Sequence, residues 1–310
     1  MSNYSPILIG TLNRSEHFKN LINSLKSCTA AELTDLYIAL DFPFKDIQNE
    51  GYNKIKCFIS EICGFKSVTI LQREENFGIY KNFTEAIDFV FQNHNTIIVL
   101  EDDNVVSRNF LLYMNECLEK FEDKKEIYAV CGWKPLDEVD IFNKEQSIFF
   151  SKTFSAWGAA YWKSKFISFE SLYNYNFIKL SLKSLIKIDD FNNQIFPLLY
   201  TMYNDKIIFG DTLIALYQHF YNKFSIFPVI SKVRNMGHDG SGVNSLLDDS
   251  GYYSSKSIDE GNLYQLSKVD ISLEIKENNK ILSILKMGYK ISFINRLYWN
   301  FRIIKFKYFS

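Results

Sequence analysis

Thr96-Ile-Ile-Val-Leu-Glu-Asp-Asp-Asn104 is the stretch on which the fold turns. An uncharged apolar run ends abruptly in three consecutive carboxylates, Glu101, Asp102 and Asp103. A short run of this kind, closed by polar residues, reads as a strand buried on both faces. Upstream, Ser67–Leu71, Leu36–Leu40 and Pro6–Leu12 repeat the pattern. The intervals carry helical spacing. Phe18, Leu21, Ile22 and Leu25 share one face behind Ser15, the expected N-cap. A second helix covers about 48–63. Phe83, Ala86, Ile87, Val90 and Phe91 line a third, over 80–92. Strand and helix in alternation predict an α/β domain, a mostly parallel sheet with helices on both faces. Ligands of such sheets bind beyond the carboxyl ends of the strands. Asp41 and the acidic triplet fall at two of those ends.

Further along, 128–132 and 147–154 read as strands, 163–222 as largely helical, and Pro228–Val233 as a short strand. Asn235–Tyr253 is a long loop rich in Gly, Ser, Asp and Asn, of the kind that is functional or disordered.

The chain has 310 residues, 47% of them apolar, which supports a sizeable core and excludes global disorder. Its aromatic content, 16%, accompanies abundant Lys, Asn and Ile, a bias that an AT-rich genome produces without functional cause. The net charge of -1 argues against a general nucleic-acid binder. That total hides a split: 278–310 carries seven Lys or Arg and no Asp or Glu, leaving -8 on residues 1–277. Five cysteines, an odd number without a CxxC pair, read mostly as small core residues in a reducing cytoplasm. The stretch MSNYSPILIG has no basic n-region and no long apolar h-region, so no signal peptide is expected, and no uncharged apolar run is long enough for an ordinary transmembrane helix.

Three adjacent carboxylates raise one another's pKa unless something neutralises them. A hard divalent cation, Mn²⁺ or Mg²⁺, would do so and keep positions open for substrate phosphates. The competing reading is a solvated acidic turn that also caps the next helix.

The strand, the acids and the following Asn104-Val-Val-Ser-Arg-Asn-Phe110 resemble the metal-binding motif of GT-A glycosyltransferases, especially the N-acetylglucosaminyltransferase I-like and family 2 enzymes. The resemblance implies a GT-A fold, a mixed and mostly parallel Rossmann-like sheet, over residues 1–255. Its nucleotide-sugar half spans about 1–132 and its acceptor half 133–255. It implies Asp103 as metal ligand, with Asp102 and Glu101 holding the donor. Thr11 and Arg14 match the family's residues near the nucleotide, and Asp41 its base-reading acid. Asn76 and Gly78, in Glu75-Asn-Phe-Gly-Ile-Tyr-Lys-Asn82, match its Asn-x-Gly segment; a simple turn with a helix cap is the alternative. Phe154-Ser-Ala-Trp-Gly-Ala-Ala-Tyr161 resembles the segment lining the sugar and acceptor site, with Trp157 as the sugar platform and Gly158 permitting close approach.

The second strong match is Ile230-Ser-Lys-Val-Arg-Asn-Met-Gly-His-Asp-Gly-Ser-Gly-Val-Asn244, a strand followed by a glycine-rich loop that orders over the donor. Gly237, Gly240 and Gly242 suit a hinge, and Arg234 could offset diphosphate charge. His238 stands where an apolar or aromatic residue is expected, so metal ligation and diphosphate contact both stay open. Inverting transfer needs a base on the acceptor hydroxyl. Asp211, in Phe209-Gly-Asp-Thr-Leu213, is the candidate, with an N-cap role as the alternative; Asp189, Asp190 and Asp205 are further candidates.

Residues 256–310 form a C-terminal extension. Its basic, aromatic and amphipathic segment 278–310 suits the headgroup plane of an anionic membrane. The expected protein is an inverting, Mn²⁺- or Mg²⁺-dependent glycosyltransferase, cytoplasmic and peripheral on the inner membrane face. It would pass a sugar from a nucleoside-diphosphate donor, a UDP-sugar favoured, to a lipid-linked glycan in surface polysaccharide synthesis. A sugar nucleotidyltransferase is disfavoured, because no Gly-rich basic loop follows the first strand to grip a triphosphate; an inert membrane scaffold of the same fold is the other alternative.

Overall fold

A computed structural model describes residues 4–135, 146–168, 170–172, 209–241 and 250–267, with single positions at 198, 201, 202, 248, 298 and 301. The tail segment 278–310 lies almost wholly outside them, as do Gly242, Asp189, Asp190, Asp205 and most of the helical stretch expected over 163–222.

Ten strands are described: β1 Ile7–Thr11, β2 Asp35–Leu40, β3 Ser67–Gln72, β4 Thr96–Glu101, β5 Asn104–Val106, β6 Ile127–Cys131, β7 Ile148–Ser151, β8 Ala159–Trp162, β9 Phe224–Pro228 and β10 Val233–Asn235. The helices are α1 Ser15–Lys26, α2 Asn49–Ile59, α3 Gly78–Val90, α4 Phe110–Lys120 and α5 Gly210–Tyr221. Eight strands form one sheet in the order β3-β2-β1-β4-β8-β6-β9-β7, while β5 and β10 pair separately. The architecture is the α/β one expected. One half, β3-β2-β1-β4, is parallel throughout. In the other half β8 runs antiparallel to both β4 and β6, and β7 antiparallel to β9.

The period of two along each strand divides the core into layers. Ile7, Ile9, Leu36, Ile38, Ile98 and Leu100 face α1, α2 and α4. Leu8, Tyr37, Ala39 and Ile97 face α3 and α5. The helical faces read from sequence, Phe18, Leu21, Ile22 and Leu25 on α1 and Phe83, Ala86, Ile87 and Val90 on α3, are the buried ones. Gly10 in β1 lets α3 lie close, since a Cβ there would come within 2.4 Å of the Phe83 ring.

Two local expectations are corrected. Ser15 is the first residue of α1, and Arg14 holds the cap position without a side-chain cap bond. Residues 228–233 are not a strand: β9 ends at Pro228 in the large sheet and β10 begins at Val233 in the small one. The cysteines are mostly core residues, as expected: Cys28, Cys117 and Cys131 are buried, Cys57 and Cys63 are exposed, and all are free.

Residues 256–267, assigned above to the extension, pack on the body. Lys232, 2% exposed, forms an ion pair with Asp259. Asp259 also accepts from Asn109 Nδ2 at 3.0 Å, and Glu116 accepts from the Leu266 N–H at 2.9 Å. Among the described residues no helix is long and apolar enough to cross a membrane.

Candidate active site

Because β2, β1 and β4 are parallel neighbours, Thr11, Asp41 and Glu101 come to the same edge of the sheet. Beyond it, Asp102 and Asp103 make the turn from β4 into β5. The β5–β10 ladder sets Asn235 opposite Asn104. The glycine-rich loop therefore leaves β10 directly beside the acids, and the Met236 N–H donates to the Asp103 carbonyl at 2.8 Å.

The two aspartates are buried and oriented by neutral donors on one side. Thr11 Oγ1 donates to Asp102 Oδ2 at 2.9 Å. Asn235 Nδ2 and Asn104 Nδ2 donate to Asp103 Oδ1 at 2.9 and 3.1 Å. On the other side stands Arg14, whose guanidinium donates to Asp103 Oδ2 at 2.8 Å and to Asp102 Oδ1. Burial works against the Arg14 charge, and Asp102 and Asp103 more than offset it. Burial also raises Asp102, with Arg14 opposing. Glu101 is pushed well above the carboxylate range, by burial first and then by Asp103. Two aspartates thus share one guanidinium, with Glu101 held toward its neutral form beside them.

Gly237 closes this cradle. A Cβ at that position would lie 2.0 Å from Asp103 Oδ2. Its N–H donates to Asn235 Oδ1 at 2.8 Å, and the loop is tied to α1 where His17 Nε2 meets Asp239 Oδ2 at 3.0 Å.

Asp211 lies in the first turn of α5, whose cap position is Phe209, so the N-cap alternative is set aside. It is accessible to solvent yet crowded by protein, and that desolvation raises its carboxyl despite the 2.7 Å bond from the Thr212 N–H. The Asp211 charge adds a last, small upward push to Glu101. Tyr80, in the first turn of α3, bonds to the Gly210 backbone, and its hydroxyl is pushed up to about 12 by burial first and then by Asp211.

The remaining site residues divide. Asp41 orders the turn before α3: its carboxylate accepts from the N–H groups of Phe42, Phe77 and Gly78 at 2.9, 2.8 and 2.9 Å. Asn76 Nδ2 joins it at 3.3 Å and bonds the Phe42 carbonyl at 2.6 Å. Gly78, at φ +71°, makes the turn into α3. The Asp41 group is thus an anion holding a helix N-terminus. Arg234 Nε donates to the Lys256 carbonyl at 2.7 Å. His238 stacks on Tyr253, centroids 3.9 Å apart and planes at 13°. Trp157 meets His238 at 5.6 Å and Trp133 at 4.8 Å, both edge-on. His238, for which metal ligation and diphosphate contact were both open, is an aromatic partner in this arrangement. Among the described residues no group of three or more His, Cys, Asp or Glu side chains converges as a ready cation cage.

The donor set fits a hard divalent ion held by one or two carboxylates and completed by a phosphate ligand, which needs no full protein cage. Arg14 is the stand-in cation on that set, and Gly237 keeps side chains out of it.

Sequence reading missed Asn235, His17, Tyr80 and Trp133. Asn235 immediately precedes the Met-Gly-His loop, the one signal that could have raised it. Trp133 is buried, and its indole N–H has no hydrogen-bond partner among the described residues.

No protein-family profile matches the chain, and no curated protein matches it. Among solved structures it is similar to the mannosyltransferase PcManGT of Pyrobaculum calidifontis in complex with GDP-Man and Mn²⁺, at 12% identity and TM-score 0.35, over 52% of this chain and 45% of that one. S. aureus TarS is similar at 13% identity and TM-score 0.35, over 56% of this chain and 29% of that one. Its 1–349 fragment with UDP-GlcNAc matches at 13% identity and TM-score 0.35, over 51% and 45%. The chain thus spans less than half the length of these structures.

Proposed function

We propose that this protein is a metal-dependent GT-A-type glycosyltransferase that moves a sugar from a nucleoside-diphosphate donor to a glycan hydroxyl with inversion. The observation that carries the reading is the Asp102–Asp103 turn, buried at a strand end and closed by the glycine-rich loop through Asn235 and Gly237. Nothing in the packing of the core requires buried acids there, and two buried carboxylates on one guanidinium leave negative charge for a ligand to meet.

Asp103, with Asp102 beside it, would hold Mn²⁺ or Mg²⁺, which when bound offsets charge on the leaving diphosphate. Thr11, Asn104 and Asn235 keep the two carboxylates oriented. Glu101 faces the donor side, and Arg14 and Arg234 supply positive charge. Asp211 takes the proton of the acceptor hydroxyl as its oxygen attacks the anomeric carbon and the bond to the diphosphate oxygen breaks. Its raised carboxyl suits a base operating nearer neutrality than a free aspartate. Trp157 offers a flat face for sugar C–H groups.

We extend the reading to a lipid-linked acceptor and to surface polysaccharide synthesis on the inner membrane face, on the charge pattern of 278–310 alone. Truncation after Asn278 should abolish pelleting with phosphatidylglycerol vesicles; undiminished pelleting would contradict the anchoring.

The test of activity is a panel of UDP- and GDP-sugars with Mn²⁺, scored for transfer and donor hydrolysis. Asp103→Ala should reduce both by at least about a hundredfold, the scale of losing one preorganised electrostatic group. Activity undiminished in that variant would remove the metal reading. A second reading, an inert scaffold, has one observation in its favour: Arg14 already pairs with both aspartates. Wild-type protein that binds no nucleotide sugar with Mn²⁺ present would favour it.

A further inference from the structure

Each aspartate of the turn has one oxygen fixed by neutral donors and one held by Arg14. Thr11 fixes Asp102 Oδ2, and Asn104 and Asn235 fix Asp103 Oδ1. Among the described residues Arg14 is the sole partner of Asp102 Oδ1 and Asp103 Oδ2. Thr11 and the two asparagines can stay in place while a cation binds; Arg14 cannot. Gly237 presses against the same Asp103 oxygen, with its would-be Cβ also 3.0 Å from Arg14 Nη1, so space there is limited.

We infer that Arg14 is a resident counter-cation that competes with the divalent metal for Asp102 and Asp103 and passes to the donor's diphosphate when both bind. The inference rests on the glycosyltransferase reading and adds a binding order to it. Arg14 sits at the cap position of α1 with its side chain 19% exposed, so it can leave the acids by rotation about its own stem. A guanidinium fork suits carboxylate pairs and phosphates equally well. Without nucleotide, the metal must displace a two-armed ion pair and leave the guanidinium without either aspartate. With a diphosphate present, Arg14 gains a new partner as it loses the old. Metal and nucleotide therefore bind cooperatively, and by linkage each tightens the other by the same factor.

The experiment follows free Mn²⁺ by its electron paramagnetic resonance signal, on the full chain, with and without UDP. In wild type, UDP should tighten Mn²⁺ binding on the order of tenfold or more, within the usual range of coupling between sites. Arg14→Gln should bind Mn²⁺ alone on the order of tenfold tighter than wild type, and its gain from UDP should shrink. Arg14→Lys, which keeps a charge but cannot bridge two carboxylates as a fork, should fall between them and covers the case in which Arg14→Gln unfolds. Equal or weaker Mn²⁺ binding by folded Arg14 variants overturns the competition while leaving the metal site standing. No Mn²⁺ uptake by wild type or variant with UDP present overturns the competition together with the glycosyltransferase reading.

Discussion

Gly237 is the residue at which backbone and chemistry meet most closely. Its backbone occupies the place beside Asp103 Oδ2 that any side chain would fill, with a Cβ only 2.0 Å from that oxygen. Gly237→Ala therefore forces either the loop or the carboxylate to move, a strain of about 1–3 kcal/mol. The expected result is a melting point lowered accordingly and UDP affinity, measured with Mn²⁺, weakened about tenfold or more; unchanged affinity would mean the loop does not close on Asp103. This residue was legible as a hinge in a glycine-rich loop, but its neighbour was not. Asn235 and Asp103 are far apart in sequence, and only the short β5–β10 ladder makes them neighbours. Asp41 shows the converse. Its place at a strand end was plain, yet its commitment to Phe77 and Gly78 depends on how the next strand and helix return to it.

At the scale of elements, period decides what could be read. The first four strands and α1 to α3 announced themselves because each keeps one periodicity between clear breaks. β9 did not: Phe224-Ser-Ile-Phe-Pro228, buried between β6 and β7, has Ser and Pro within its five residues and so lacks the unbroken apolar run that marks β4. It also follows α5 with little punctuation. The C-terminal end of α4 is capped from outside by Lys165, whose Nζ donates to the carbonyls of Phe121 and Lys124 at 2.9 and 3.0 Å. Burial first, with Lys223 adding and Glu122 opposing, brings its ammonium down from 10.5 to about 8. Between those pH values the unfolded chain binds more protons than the folded one, so this group makes stability rise with pH from about 8 to 10.5. Urea unfolding of wild type and Lys165→Met across that window should show the difference between them growing in favour of wild type. A constant difference would mean Lys165 titrates normally.

For the whole molecule, the segment 256–267 ties the far side of the sheet to α4. Lys232 is nearly inaccessible and answers to Asp259. Burial lowers its pKa, and the Asp259 contact pulls the other way. Asp259→Leu leaves a buried ammonium without its carboxylate and should cost about 3–5 kcal/mol. The double variant Lys232→Met/Asp259→Leu should recover most of that loss, because an apolar pair of similar volume carries no desolvation cost. Denaturant titration of the three proteins checks this; equal losses in single and double variants would show that the segment's packing, not the pair, matters. The opposite signs of body and tail, -8 and seven positive charges, were visible from the first reading. What they hid was a charge balance inside the body, with a half-buried arginine already answering two of its acids.

The central claim is that Asp103 and its neighbours form a metal-dependent nucleotide site. Calorimetric titration of UDP into the full chain, with Mn²⁺ and with EDTA, for wild type and Asp103→Ala, tests it most directly. The account predicts binding for wild type with Mn²⁺, and a loss of about tenfold or more on removing either the metal or the carboxylate. UDP binding of equal affinity in all four titrations would contradict it.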